Sequence, residues 1–138
     1  MGWHGAAGAM RSTAEDLCRW HHALLGGRVL RPFSLGTMIT PVHLREPHPT
    51  NVAQWGPDAP AERKQYALGL YSGIHDGRRQ LTHTGSTRGF LCQLTSYPAE
   101  QVSVAGIINA DRGGESRASP HEAALAGALQ QAATIALG

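Results

Sequence analysis

The sequence is poor in several residue types, and each shortage excludes a class of protein. Charged residues make up 16% and aromatic residues 6% of the 138 positions, and the formal net charge is only +2. A nucleic-acid-binding surface needs a basic stripe interleaved with aromatic side chains, so we expect no nucleic-acid partner. No apolar run approaches the length of a membrane-spanning helix, and we therefore expect no membrane span.

Cysteine and lysine are also scarce. Cys18 and Cys92 are too few and too widely separated to indicate a disulfide framework or a zinc site, so we expect both to be small buried side chains. Lys64 is the sole lysine among twelve basic residues. The eight histidines form no His-Glu-x-x-His, and Gly113-Gly114 lacks the remaining residues of a phosphate-binding loop. We therefore expect neither a bound metal nor a cofactor.

The residues that are present favour one globular domain of the α+β class. Apolar residues make up 41% of the chain, which is enough for a core of ordinary size. The pattern predicts a helical segment over 1–41, a proline-rich loop over 42–64, antiparallel strands over 65–110 and a C-terminal helix over 119–137. Elements segregated in this order are typical of a sheet with helices packed on it.

The first segment carries a helix start signal. Ser12-Thr13-Ala14-Glu15 has the form of a capping box, with Ser12 as the expected N-cap. A second, short helix is predicted to begin near Pro32 and to end before Pro41. The apolar positions of the first helix recur at helical spacing: Ala14, Leu17, Cys18, His21, Leu24 and Leu25.

The C-terminal helix has the same kind of signal. Ser119 is the predicted cap, Pro120 occupies the first turn and Glu122 completes a second capping box. We expect an inner stripe of Leu125, Leu129, Ala132, Ala133 and Ala136 to pack against the sheet.

About four strands are predicted between the loop and this helix. Residues 66–74 alternate between large and small side chains, and Asp76-Gly77 is a strong hairpin signal that leads into a strand over 78–84. Residues 90–97 form the third predicted strand. The apolar run over 102–109 forms the fourth and is expected to be covered on both faces.

His83-Thr84-Gly85 is the segment best suited to chemistry. It lies at the predicted end of a strand and brings together a titratable ring, a hydroxyl and a glycine that lets a ligand lie against the strand edge. A hydroxyl can bind the substrate there, and a following backbone N–H can face a developing oxyanion.

This segment resembles the third motif of the β-lactamase and penicillin-binding protein family of serine hydrolases, usually written Lys-Thr-Gly, with histidine in place of lysine. The resemblance continues along the chain. Residues 8–17 are similar to the family's Gly-Gly…Ser-Thr-Ala-x-Asp-Leu segment, and residues 30–41 are similar to its next helix. Residues 66–70 resemble its Tyr-Gly-Leu-Gly-Trp strand, and Asn109 falls where its last strand ends. The resemblance implies a partial β-lactamase or transpeptidase-like fold.

The resemblance also implies roles for four residues. His83 would assist proton transfer or orient the substrate, and Thr84 would line the pocket. Gly85 would leave room for the ligand, and the Ser86 backbone N–H would form half of the oxyanion hole. The implied partner is a small acyl compound, namely a β-lactam, a D-Ala-D-Ala peptide or a small ester.

The motifs that carry the nucleophile in this family are missing. The sequence contains no Ser-x-x-Lys and no Tyr-x-Asn or Ser-x-Asn. Both normally lie upstream of the matched residues, so we expect this chain to correspond to the C-terminal part of the fold and to be inactive alone. The alternative is a non-catalytic remnant that binds a ligand or a protein. In either case the edge of the 102–109 strand is expected to promote self-association.

Overall fold

The computed structural model describes residues 8, 10–42, 65–110 and 119–138. The loop predicted over 42–64 therefore lies outside the described residues except for Val42. The architecture confirms the predicted α+β class, with helices before an antiparallel sheet and one helix after it. The elements are α1 (Ala14–Leu25), α2 (Pro32–Ile39), β1 (Gln65–Tyr66), β2 (Tyr71–His75), β3 (Arg78–Thr87), β4 (Phe90–Tyr97), β5 (Val102–Ile108) and α3 (Pro120–Leu137).

The described sheet has five strands in the order β1-β2-β3-β4-β5, and all of its pairs are antiparallel. The expected count of about four differs because the first predicted strand is divided in two. A turn over 67–70 separates β1 from β2, with Gly69 at a φ of +82°. Glycine adopts this left-handed backbone without the steric penalty that a side chain would bring.

The hairpin predicted at Asp76-Gly77 is confirmed, since both residues have positive φ, at 50° and 74°. The predicted end of the next strand was wrong. β3 runs past Thr84 to Thr87, and the chain turns at Arg88-Gly89, where Gly89 has a φ of +78°. His83 is therefore inside a ten-residue strand rather than at its end.

The two longer helices pack on opposite faces of the sheet. On one face α1 contacts β5 and β4, and its predicted apolar stripe includes the buried residues His21 and Leu24. On the other face α3 places Leu125 and Leu129 against Leu91 in the main core cluster. The helix comes so close to β5 that a Cβ on Gly106 would lie 2.6 Å from a Leu125 methyl group.

Two details of the helix predictions need correction. Thr13, not Ser12, caps α1, because its hydroxyl accepts a hydrogen bond from the Asp16 amide. The predicted inner stripe of α3 is narrower than expected: Ala133 is buried with the two leucines, whereas Ala132 and Ala136 are exposed. The capping box at Ser119 and Glu122 is confirmed in both directions.

Candidate active site

The candidate site lies on the outer edge of β3. β2 pairs with β3 only over residues 78–82, whereas β4 pairs with it as far as Thr87. Among the described residues, no strand covers the outer edge of β3 over residues 83–87, and we call this stretch the open β3 edge. The His83 side chain is exposed there. The catalytic role of His83 stays a prediction.

The strand register shows which backbone groups face this edge. His75 and Arg78 flank a two-residue turn, so they form a hydrogen-bonded pair, and hydrogen-bonded pairs alternate along an antiparallel ladder. Every second residue of β3 from Arg78 onward has its backbone N–H and C=O on the β2 side of the strand. The N–H and C=O groups of Thr84 and Ser86 therefore point away from β4. The turn at Arg88-Gly89 gives the same assignment from the other side of the strand. The open β3 edge therefore offers backbone donors and acceptors.

The side chains of the four predicted site residues are divided between the two faces of the sheet. Side chains alternate along a strand, so His83 and Gly85 lie on the α1 face and Thr84 and Ser86 on the α3 face. The structure thus brings the four residues together on one short stretch of backbone.

Two tyrosines surround His83. The Tyr66 hydroxyl lies 3.2 Å from Nε2 of His83, and the ring of Tyr71 stacks on the imidazole with centroids 5.6 Å apart and an interplanar angle of 23°. The two phenol rings also meet each other edge to face at 4.6 Å. Neither tyrosine is among the site residues predicted from the sequence. The sequence signal for their contact is Gly69, which lies between the two tyrosines and indicates the turn that brings their rings together.

The end of α2 holds the Tyr66 segment in place. Helix C-termini leave carbonyl groups without helical partners, and two of these accept hydrogen bonds, one from the turn after β1 and one from β3. The Leu68 amide donates to the Met38 carbonyl at 3.0 Å, and the Arg79 guanidinium donates to the Ile39 carbonyl at 2.7 Å. The Val42 amide also donates to the Tyr66 carbonyl. The position of Tyr66 is therefore fixed from both β2 and α2.

Glycine at position 85 has a local packing reason. A Cβ built on Gly85 would lie 2.6 Å from the sulfur of Cys92 on the paired strand. Burial raises the pKa of the Cys92 thiol, although a hydrogen bond with the Gly85 backbone opposes the effect. Burial likewise raises the pKa of Cys18. Neither cysteine has the lowered pKa that marks a reactive thiolate.

A serine and a histidine do meet elsewhere, but in the interior. Nδ1 of His21 lies 2.6 Å from Oγ of Ser96, which in turn lies 2.7 Å from Oγ of Ser103. Ser96 is fully buried and His21 is 3% exposed, so a substrate cannot reach this pair. Burial lowers the pKa of His21 to about 4, which keeps the ring neutral at pH 7. The cluster links α1 to the sheet.

A cavity of about 260 Å³ opens between α3 and the sheet. Its polar lining includes Gln80, Thr82, Gln93 and Gln130, and it contains none of the four predicted site residues. In the part of the chain that the structure describes, no three potential metal ligands come together, and no helix has the length and apolar character needed to cross a bilayer.

Comparisons with known proteins identify the fold and the family. The crystal structure of a D-stereospecific amidohydrolase from Streptomyces sp. superimposes with a TM-score of 0.55 over 80% of this chain at 24% identity, a likeness that shows a common fold. The chain spans 28% of the length of that protein. Among curated proteins no sequence matches. A sequence model of the Beta-lactamase family matches residues 1–129, and the chain therefore belongs to that family.

Proposed function

We propose that this chain forms the β3 wall of the acyl-binding cleft of a serine hydrolase that works through an acyl-enzyme. The observation that carries the proposal is the open β3 edge, where an exposed His83 and the outward-facing backbone of Thr84 and Ser86 occur together. A carbonyl or carboxylate of a small acyl compound could bind along this edge. The Ser86 N–H would then donate to the oxyanion, and His83 and Thr84 would contact the substrate from the two faces.

The attacking hydroxyl is proposed to come from residues that this sequence does not contain. Ser-x-x-Lys is absent from the sequence, and the one close Ser–His pair among the described residues, Ser96 and His21, is buried. Aligned donors without a nucleophile can bind an acyl group but cannot form the acyl-enzyme. The 138-residue chain should therefore not turn over a chromogenic cephalosporin or a p-nitrophenyl ester. Turnover that His83→Ala abolishes would contradict this and imply an unrecognised nucleophile.

Binding can be measured without turnover. The similar solved structure is named as a D-stereospecific amidohydrolase, so the first probe is an N-acetyl-D-Ala-D-Ala dipeptide, with its L-Ala-L-Ala enantiomer as the stereochemical control. In a titration of the ¹⁵N-labelled chain, we expect amide shifts centred on residues 83–87. Binding should be weak because one wall of the cleft acts alone.

Two variants make the titration specific. His83→Ala should reduce the shifts, whereas His121→Ala, which removes an exposed histidine at the start of α3, should leave them unchanged. Shifts scattered away from β3, or equal effects of the two variants, would contradict the proposal. Equal shifts with both enantiomers would contradict only a preference for the D series. A β-lactam and a small ester tested in the same way would rank the three substrate classes.

A further inference from the structure

The contact between Tyr66 and His83 determines which ring nitrogen is free. Nε2 lies 3.2 Å from the Tyr66 hydroxyl. Among the described residues, Nδ1 of the same ring has no protein hydrogen-bond partner. A neutral imidazole has one N–H and one lone pair, so the proton assignment at Nε2 fixes what Nδ1 can do.

The chemistry of the two groups favours one assignment. A phenol is a stronger hydrogen-bond donor than an alcohol, and its oxygen is a weaker acceptor because the ring withdraws electron density from it. The unprotonated nitrogen of imidazole is among the strongest neutral acceptors in proteins. An O–H···N bond from Tyr66 to Nε2 is therefore stronger than the reverse N–H···O bond, and it leaves the hydrogen on Nδ1.

We propose that Tyr66 is a positioning residue that holds neutral His83 as the Nδ1–H tautomer, so that Nδ1–H is a hydrogen-bond donor to the carbonyl or carboxylate of the acyl substrate. This inference rests on the proposed function. It assigns His83 the role of orienting the substrate rather than that of a general base. A base would need its free nitrogen unprotonated, and here the unprotonated nitrogen accepts from Tyr66.

The surroundings support a fixed ring. Stacking on Tyr71 restricts rotation of the imidazole about its side-chain bonds, and the edge-to-face contact holds the two tyrosines against each other. Tyr66 is itself tied through its carbonyl to Val42 and, by way of Leu68, to the end of α2. A donor that is already oriented loses little conformational freedom when the substrate binds.

Nuclear magnetic resonance of the histidine ring nitrogens tests the tautomer directly, with no substrate present. The chain labelled with ¹⁵N-histidine is studied at about pH 8, above the ordinary titration range of imidazole. The His83 signals are identified by their loss in His83→Ala. We expect protonated Nδ1 and unprotonated Nε2. In Tyr66→Phe the ring should revert toward the mixture of free histidine, in which Nε2–H predominates.

Tyr97→Phe is the matched control, because it removes a hydroxyl that accepts from the Gln80 amide elsewhere in the sheet. It should leave the His83 tautomer unchanged. A predominant Nε2–H form in the unsubstituted chain, or no change in Tyr66→Phe, overturns the inference. If Tyr66→Phe fails to fold, the unsubstituted spectrum alone decides. Since no ligand is added, the tautomer measurement is independent of the dipeptide titration. Failure of that titration would contradict the proposed function without changing the tautomer of His83.

Discussion

His21 illustrates how a single buried side chain makes stability depend on pH. Its folded-state pKa is lowered by burial to about 4, and its ordinary value is 6.5. Between pH 6.5 and about pH 4, His21 binds a proton in the unfolded chain but not in the folded chain. The contribution of neutral His21 to the free energy of unfolding is therefore fully present above pH 6.5. It is lost as the pH falls through that window, by on the order of 3 kcal/mol in total.

Urea unfolding at several pH values across this window would measure the loss. His21→Gln should be less stable at neutral pH but should have a flatter pH dependence, because the titrating group is gone. His22→Gln is the matched control at the exposed neighbouring position and should keep the slope of the unsubstituted chain. An unchanged slope in His21→Gln would show that other groups cause the pH dependence.

A double-mutant cycle can test whether the Cys92 sulfur is the reason for glycine at position 85. Gly85→Ala should destabilise the chain by about 1 kcal/mol, since the new methyl group overlaps the Cys92 sulfur. In a Cys92→Ala background the cost should vanish, because the sulfur is gone and the φ of Gly85 is not in the left-handed region. Unfolding free energies of the four proteins give the coupling directly. An equal loss of unfolding free energy in both backgrounds would show that the overlap with the Cys92 sulfur is not its cause.

At the scale of elements, the closest packing is between α3 and β5. Gly106→Ala should cost about 1–3 kcal/mol, because its methyl group would meet both Leu125 and Leu129. Gly127→Ala is the same chemical change at an exposed position of α3 that borders the cavity, with no atom within 4 Å of the new Cβ, and should stabilise the chain by about 1 kcal/mol. Thermal or urea unfolding of the pair checks both signs, and destabilisation by Gly127→Ala would show that the helix is not packed as described.

Most element boundaries followed from local signals in the sequence, and the misplaced ones show what such signals lack. Asp76-Gly77 specifies its turn chemically, so that hairpin was predictable. Between Tyr66 and Ser72 the alternation of side chains continues through the turn, so the period concealed the break between β1 and β2. The end of β3 was misplaced because Gly85 was interpreted as a break, although its absent side chain makes room for Cys92.

The candidate site was predictable in part for the same reason. His83-Thr84-Gly85 is contiguous, and its resemblance to a family motif identified the strand. The contact of Tyr66 with His83 depends on a turn at Gly69 and on where β2 stops pairing with β3, and neither is encoded next to His83. The sidedness of Thr84 and Ser86 likewise required the register.

At the scale of the whole molecule, β5 is one of the two edge strands of the described sheet. It pairs with β4 alone among the described strands, and all seven of its residues are partly buried. Unpaired backbone beside apolar side chains favours pairing with another chain. We expect sedimentation to show association that increases with concentration, and we expect Val102→Lys to reduce it.

Ile135→Lys is the control for that experiment, since Ile135 is 82% exposed on α3 and is an alternative apolar contact. If Ile135→Lys disperses the assemblies and Val102→Lys does not, the helix surface rather than the strand edge is responsible. A monomer at all concentrations would contradict the prediction for both surfaces.

The simple order of the sheet has a kinetic consequence. Each strand pairs with its neighbour along the chain, and the connections are two or four residues long. Closing such short loops costs little entropy, so the hairpins can form and dissolve independently of distant parts of the polypeptide. The β2–β3–β4 ladder should therefore gain amide protection early in refolding, before α1 and α3 dock, which places the open β3 edge among the first features of the molecule to take shape.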